Sequence, residues 1–244
     1  MKKTFGFLTA ALVAFSLNAQ TSGQVATYTT GVGAQTDGLY NYAMGAISDK
    51  LEKLSYEDST IEGSPYKANT FMPTQLYYGD EAIGQVYYRY NAHNQEIETK
   101  QQNLDQEPIR ALGRDKKIKL MVDGKPMSFK TFIDKSGNTQ NGYLTLLRDG
   151  KYKLYKRLNI VFKDAKKAPN SFVKGTPARF TPFTEYYLES EDGKRIDEIE
   201  LNTKKFLNVV GSENRESVKQ FIKENKIKLK DEQDVYAILT FLNS

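Results

Sequence analysis

The chain of 244 residues contains no cysteine and a single histidine, and beyond its first twenty positions it has no long apolar run. The missing cysteine excludes disulfides, a thiol nucleophile and a lipid-modified cysteine anchor. One imidazole, His93, is too few for the two or three that a zinc site of an exported hydrolase uses. No Gly-x-Ser-x-Gly elbow is present, so a serine triad would have to recruit His93. That residue lies in Asn91-Ala92-His93-Asn94 and reads as a solvated turn residue. No Asp-x-Asp-x-Asp-Gly loop marks a calcium site. No metal and no cofactor is expected.

A charge excess of one sign is nearly absent too. Setting aside Lys2 and Lys3, the formal +5 falls to +3, with acidic and basic residues interspersed. The pI is about 9.0, but nucleic-acid binding needs basic side chains gathered on one face, with aromatics where bases stack. Here lysines alternate with apolar residues. The densest basic stretch, Lys151, Lys153, Lys156 and Arg157, reads as the wet face of a strand, where lysine also discourages sheet aggregation. No nucleic-acid partner is expected.

What is present begins with Lys2-Lys3, the apolar run Phe5 to Leu17 and Asn18-Ala19-Gln20, the pattern of a secretory signal peptide cleaved after Ala19. The run is too short to cross a bilayer of about 30 Å as a helix. The expected organisation is a signal peptide over 1–19 and a flexible Gly, Thr, Gln and Ser leader over 20–38. A short helix and linker follow over 39–60, then an antiparallel β domain over 61–201 and C-terminal helices over 202–244. No transmembrane segment is expected after signal removal. A mature chain of about 225 residues buries enough apolar surface to fold without disulfides.

Leu39, Tyr42, Ala43, Ala46, Ile47, Leu51 and Leu54 recur at steps of three and four, the spacing of an amphipathic helix. From about Tyr66 the period becomes two. Asp123-Gly124, Asp149-Gly150 and Asp192-Gly193 punctuate it with the dipeptide that type I′ hairpin turns favour. Strands are predicted at Leu76–Gly79, Gln85–Asn91, Glu96–Lys100, Ile118–Val122, Met127–Ile133, Tyr143–Arg148, Tyr152–Lys163, Thr181–Glu189 and Arg195–Leu201. In Tyr152–Lys163 one face carries Tyr152, Leu154, Leu158, Ile160 and Phe162, interrupted by Lys156; Lys153, Tyr155, Arg157, Asn159 and Lys163 fall on the other. After Leu201 the helical period returns at Val218, Phe221 and Ile222, then Val235, Ile238, Leu239 and Leu242, with Asp231 as N-cap and Asp234 in the place of a capping-box glutamate. The fold class is therefore α+β: an antiparallel β-meander, curved or partly open as a barrel, with a short N-terminal helix and a small C-terminal helical pack. A transmembrane barrel is excluded because lysine or arginine interrupts nearly every strand, where an apolar outer band is required.

Gly63-Ser64-Pro65-Tyr66 with Phe71, Tyr77-Tyr78-Gly79, Arg89-Tyr90-Asn91-Ala92 and Glu96-Ile97-Glu98 carry a family resemblance. It continues through Tyr152-Lys153-Leu154-Tyr155-Lys156-Arg157, Phe183 to Leu188 and Phe221-Ile222-Lys223-Glu224-Asn225-Lys226. On these residues the chain, from about Ile61 to its C-terminus, resembles a family of uncharacterised exported proteins of Bacteroidota. The resemblance implies a periplasmic or surface location in a Gram-negative envelope, and no catalytic residue.

Two kinds of site remain. Glu96 with Glu98, or Glu198 with Glu200, would each share a strand face, and a glycosidase needs two carboxylates about 5 to 9.5 Å apart. The aromatic cluster Tyr77, Tyr78, Tyr87, Tyr88 and Tyr90, with Arg89 among them, is the candidate binding surface. If 79–84 is a hairpin loop, these rings face one another across adjacent strands, suited to a sugar, a peptide or a protein partner. Their structural alternative is cross-strand pairing that stabilises the sheet. The sequence thus favours a non-enzymatic envelope protein, a binding or accessory subunit meeting a protein partner through its sheet and helices. The alternatives are a carboxylate-dependent glycan hydrolase and a carrier of an apolar ligand inside a curved sheet.

Overall fold

The computed structural model describes residues 34–44, 61–168, 170 and 172–244, within one compact unit spanning Gly31–Ser244. The expected signal segment, most of the leader, and the second half of the first helix with its linker lie outside the described residues. Helix α1 is Ala34–Met44, beginning ahead of the expected Leu39. Ten strands follow: β1 Met72–Tyr78, β2 Glu81–Asn91, β3 Glu96–Lys100, β4 Arg110–Ala111, β5 Ile118–Val122, β6 Lys125–Ile133, β7 Thr139–Arg148, β8 Lys153–Lys163, β9 Arg179–Glu189 and β10 Ile196–Ile199. Helices α2 Thr203–Val209, α3 Ser212–Glu224 and α4 Glu232–Leu242 close the chain. No helix among the described residues is long and apolar enough to cross a membrane.

The strands form one sheet in the order β10-β9-β8-β7-β6-β5-β1-β2-β3-β4. It is α+β and mostly antiparallel, as the sequence indicates, but it consists of two meanders, because β5 returns to pair with β1 and not with β4. The Asp123-Gly124 turn joins β5 to β6 with φ of 52° and 74°, the two positive angles of a type I′ hairpin. The sheet then curls until β10 meets β6 at a parallel bridge, Asp197 to Ile133, so β6 to β10 form a partial ring. The Lys135 N–H donates to Glu198 Oε2 at 2.9 Å across that seam.

The curl corrects one expectation. Tyr155 and Arg157 do not face solvent as the wet side of a strand. Ring closure turns that side inward, and Tyr155 is buried with Phe132, Leu144, Tyr187 and Ile196. Arg157 pairs with its cross-strand neighbour Glu185 at 2.9 Å. Gln95, with φ 54°, reaches in from the β2–β3 turn and accepts from Arg157 Nε at 3.1 Å and from the Tyr90 hydroxyl at 2.8 Å.

The opposite face of β8 is shared between two further cores. Leu154, with Tyr152, Leu188 and Ile199, packs under the three C-terminal helices. Ile160 joins Leu76, Val86, Tyr88, Tyr90, Ile97, Leu120 and Met127 beneath α1. Asp231 caps α4 as expected, accepting from the Gln233 and Asp234 N–H groups. The Asp234 carboxylate reaches the Lys230 N–H at 2.7 Å. Val235, Ile238, Leu239 and Leu242 are all buried. At roughly 1.5 to 3 kcal/mol for each large aliphatic side chain, this stripe is a main contribution to holding α4 in place.

Candidate functional site

The six sequence-selected residues do not form one surface. β1 and β2 are joined by a two-residue turn, Gly79-Asp80, not by a loop over 79–84, so Tyr78 pairs with Glu81 and Tyr77 with Ala82. Tyr87 and Tyr88 lie at the far end of the hairpin, opposite Pro73 and Met72, and the expected facing of the rings is corrected by this register. Tyr88 (8% exposed) and Tyr90 (1%) point into the core, Tyr90 edge-on to Tyr143 at 6.2 Å. Tyr77, Tyr78 and Tyr87 are half-buried, and Tyr78 meets Tyr42 of α1 edge-on at 6.0 Å.

Arg89 is committed to the fold. Its guanidinium lies 3.9 Å from the Tyr66 ring centroid and 4.6 Å from that of Phe71, and its Nε donates to Glu98 at 3.0 Å. Glu98 (1% exposed) also accepts from the Tyr66 hydroxyl at 3.0 Å. The segment preceding β1 is thereby strapped across β2 and β3. Sequence reading missed this clamp, although Tyr66 and Phe71 stand in a stretch otherwise poor in large apolar side chains.

The carboxylate pairs are similarly occupied. Glu96 and Glu98 share a face as expected, but both are buried; desolvation pushes the Glu96 carboxyl up, while the Arg114 charge opposes that rise. Burial also raises Glu198, partly offset by its bond from Lys135 N–H, and Glu200 accepts from Lys205 Nζ at 2.7 Å. Neither pair lines the seam cavity described below. His93 is half-buried, not solvated: its Nδ1 lies 3.0 Å from the Ile160 carbonyl oxygen and its ring meets Phe180 edge-on at 5.4 Å.

The concave feature with built chemistry lies elsewhere, at the seam where the core beneath α1 meets the core beneath the C-terminal helices. A cavity of about 310 Å³ opens there, with Tyr90, Val122, Met127, Leu147 and Leu158 among its apolar walls. Sheet register places the walls: Met127 pairs with Thr145, Thr145 with Lys156, and Leu158 with Thr184, in rows across β6 to β9. Three lysines stand on the rim, one from the segment preceding β1, one from β6 and one from β8. Lys67 pairs with Asp123, and Lys156 with Glu232 at 3.1 Å. Lys125 donates to the Leu147 carbonyl at 3.4 Å and, among the described residues, has no carboxylate partner.

Glu232 opens α4 and is the anchor of this rim. Burial disfavours its charge, but hydrogen bonds from Tyr236 (2.6 Å), Lys156 and Tyr186 (3.1 Å) outweigh that cost and hold its carboxyl below the usual range. In turn, burial and the Glu232 charge raise the Tyr186 phenol to about 12. Two of its residues stood out in the sequence: Tyr90, from the tyrosine cluster, and Lys156, the one charged residue interrupting the apolar face of β8.

Compared with family models, with curated proteins and with solved structures, the chain matches none.

Proposed function

We propose that this chain is a non-enzymatic exported binding protein of the cell envelope, and that its seam cavity takes a small apolar molecule bearing one anionic group. The observation that carries the reading is the unequal rim: three lysines against two carboxylates around an apolar floor, leaving the Lys125 charge uncompensated. A cavity of about 310 Å³ is at the small end of ligand sites and equals about ten water volumes of 30 Å³. A medium-chain monocarboxylate such as octanoate has that size and chemistry.

The other readings have less to rest on. A glycan hydrolase would need two free acids across a cleft, and each acid pair raised by the sequence is buried or already bonded. A protein partner docking on the C-terminal helices would need an apolar helix face, and none of the large exposed apolar side chains among the described residues lies on α2, α3 or α4. The exported location rests on the expected signal peptide and on the resemblance to envelope proteins.

Calorimetric titration with octanoate tests the proposal. Binding is expected at one site, weakened roughly tenfold by Lys125→Met through loss of a charge-assisted contact. Binding that Lys125→Met leaves unchanged, or no binding of either octanoate or octanol, would overturn it.

A further inference from the structure

A second surface, far along the β8–β9 ribbon from the ring core, has its own chemistry. Over residues 163–179, Lys163, Lys166, Lys167, Lys174 and Arg179 stand against Asp164 alone, a net charge of +4. Lys166 and Thr176 exchange two backbone hydrogen bonds of 2.9 Å, continuing the ribbon beyond its strands. At the apex the Asn170 carboxamide accepts from the N–H groups of Phe172 and Val173 at 3.0 and 3.1 Å. This organised turn presents Phe172 with 95% of its surface exposed, beside exposed Val173. Val161 and Phe183 on the adjoining strands are exposed as well, with Lys163 Nζ 5.4 Å from the Phe183 ring centroid.

Two features of this tip are uncompensated in the isolated chain. A fully exposed phenylalanine gains nothing from burial. Lys163 and Arg179 are direct cross-strand partners, and like charges so placed repel. A surface that is anionic outside and apolar beneath would bury the ring and offset the repulsion. We propose that the β8–β9 tip docks this protein on an anionic phospholipid bilayer, with Phe172 and Val173 entering the headgroup boundary and the lysines set back among the phosphates. A nucleic-acid strand fits less well, since the apex itself carries a single ring, too few for a stacking platform. The proposal is independent of the seam cavity.

The chain has no tryptophan, so Phe172→Trp supplies a single reporter. Its emission is expected to shift to the blue with vesicles of phosphatidylglycerol and phosphatidylethanolamine, and to stay unchanged with phosphatidylcholine alone. In vesicle flotation the unsubstituted chain is expected to float with the anionic vesicles. Replacing Lys166, Lys167 and Lys174 by Gln weakens that binding roughly a hundredfold, and Phe172→Ser about tenfold. All these positions are exposed, so circular dichroism of the variants should match the parent. Equal flotation with neutral vesicles, full binding by the Phe172→Ser variant, or an unshifted emission in the bound state would overturn the proposal. Binding to polyglutamate that matches vesicle binding and ignores Phe172→Ser would assign the tip to acidic polypeptides instead.

Discussion

Lys156 and Glu232 meet at 3.1 Å across the space between β8 and the first turn of α4. The pair joins the sheet to the helical pack at the edge of the seam cavity, and Tyr186 and Tyr236 complete the shell around the carboxylate. Glu232→Gln should cost about 1.5 to 3 kcal/mol at neutral pH, the range of a hydrogen bond to a charged group. Because the folded carboxyl titrates below its unfolded value, this contribution is complete above the unfolded value near pH 4.5 and fades as pH falls through the folded one. Urea denaturation across that acid range should show a shallower loss of stability in Glu232→Gln than in the parent.

Among the ion pairs of the described residues, that of Arg89 with Glu98 has the most deeply buried carboxylate. Arg89→Met leaves the Glu98 carboxylate buried with only Tyr66 to satisfy it, an expected loss of about 3 to 5 kcal/mol. Adding Glu98→Leu should recover much of that loss, since an apolar pair carries no stranded charge. A double-mutant cycle by chemical denaturation measures the coupling.

Asn243, just after α4, uses its side chain as a strand would: it accepts from Tyr152 N–H at 2.7 Å and donates to the Tyr152 carbonyl at 3.0 Å. A methyl group at Gly150 would come within 2.5 Å of the Asn243 amide nitrogen. Asn243→Ala and Gly150→Ala should each cost about 1 to 3 kcal/mol. Their combination should cost less than the total of the two, because the clash disappears with the amide.

The ring core makes the protein sensitive to alkali. Burial raises the phenols of Tyr155 and Tyr187 far above their ordinary value, and each is further disfavoured as an anion by the carboxylate it donates to, Glu189 and Glu185. Their contribution to stability is complete below the unfolded value near pH 10 and declines as pH rises above it. Phenolate absorbance should therefore appear for these residues only together with loss of circular dichroism.

Local signals in the sequence carried most of the elements. Asp123-Gly124 marked a turn with two positive φ angles, the alternation in 118–122 and 96–100 marked strands at their observed bounds, and Asp231 marked the start of α4. What depended on distant pairing was hidden. Nothing in Asp197 or Ile133 indicates that β10 closes onto β6, and without that closure Tyr155 and Arg157 read as a solvated face. The tyrosine cluster failed as a site for a related reason: the two-residue turn at Gly79-Asp80 and the bulge between Leu76 and Tyr77 together set the register of the hairpin. Of the seam cavity only Tyr90 and Lys156 were legible, since Glu232 and Lys67 reach its rim through packing that no local period encodes.

The most direct test of the binding proposal is a methyl-labelled NMR titration with octanoate. The account predicts saturable shifts at Met127, Leu147, Leu158 and Val122, with methyls of the ring core such as Leu144 unmoved. Shifts scattered over the surface, or none at these four residues, would contradict it.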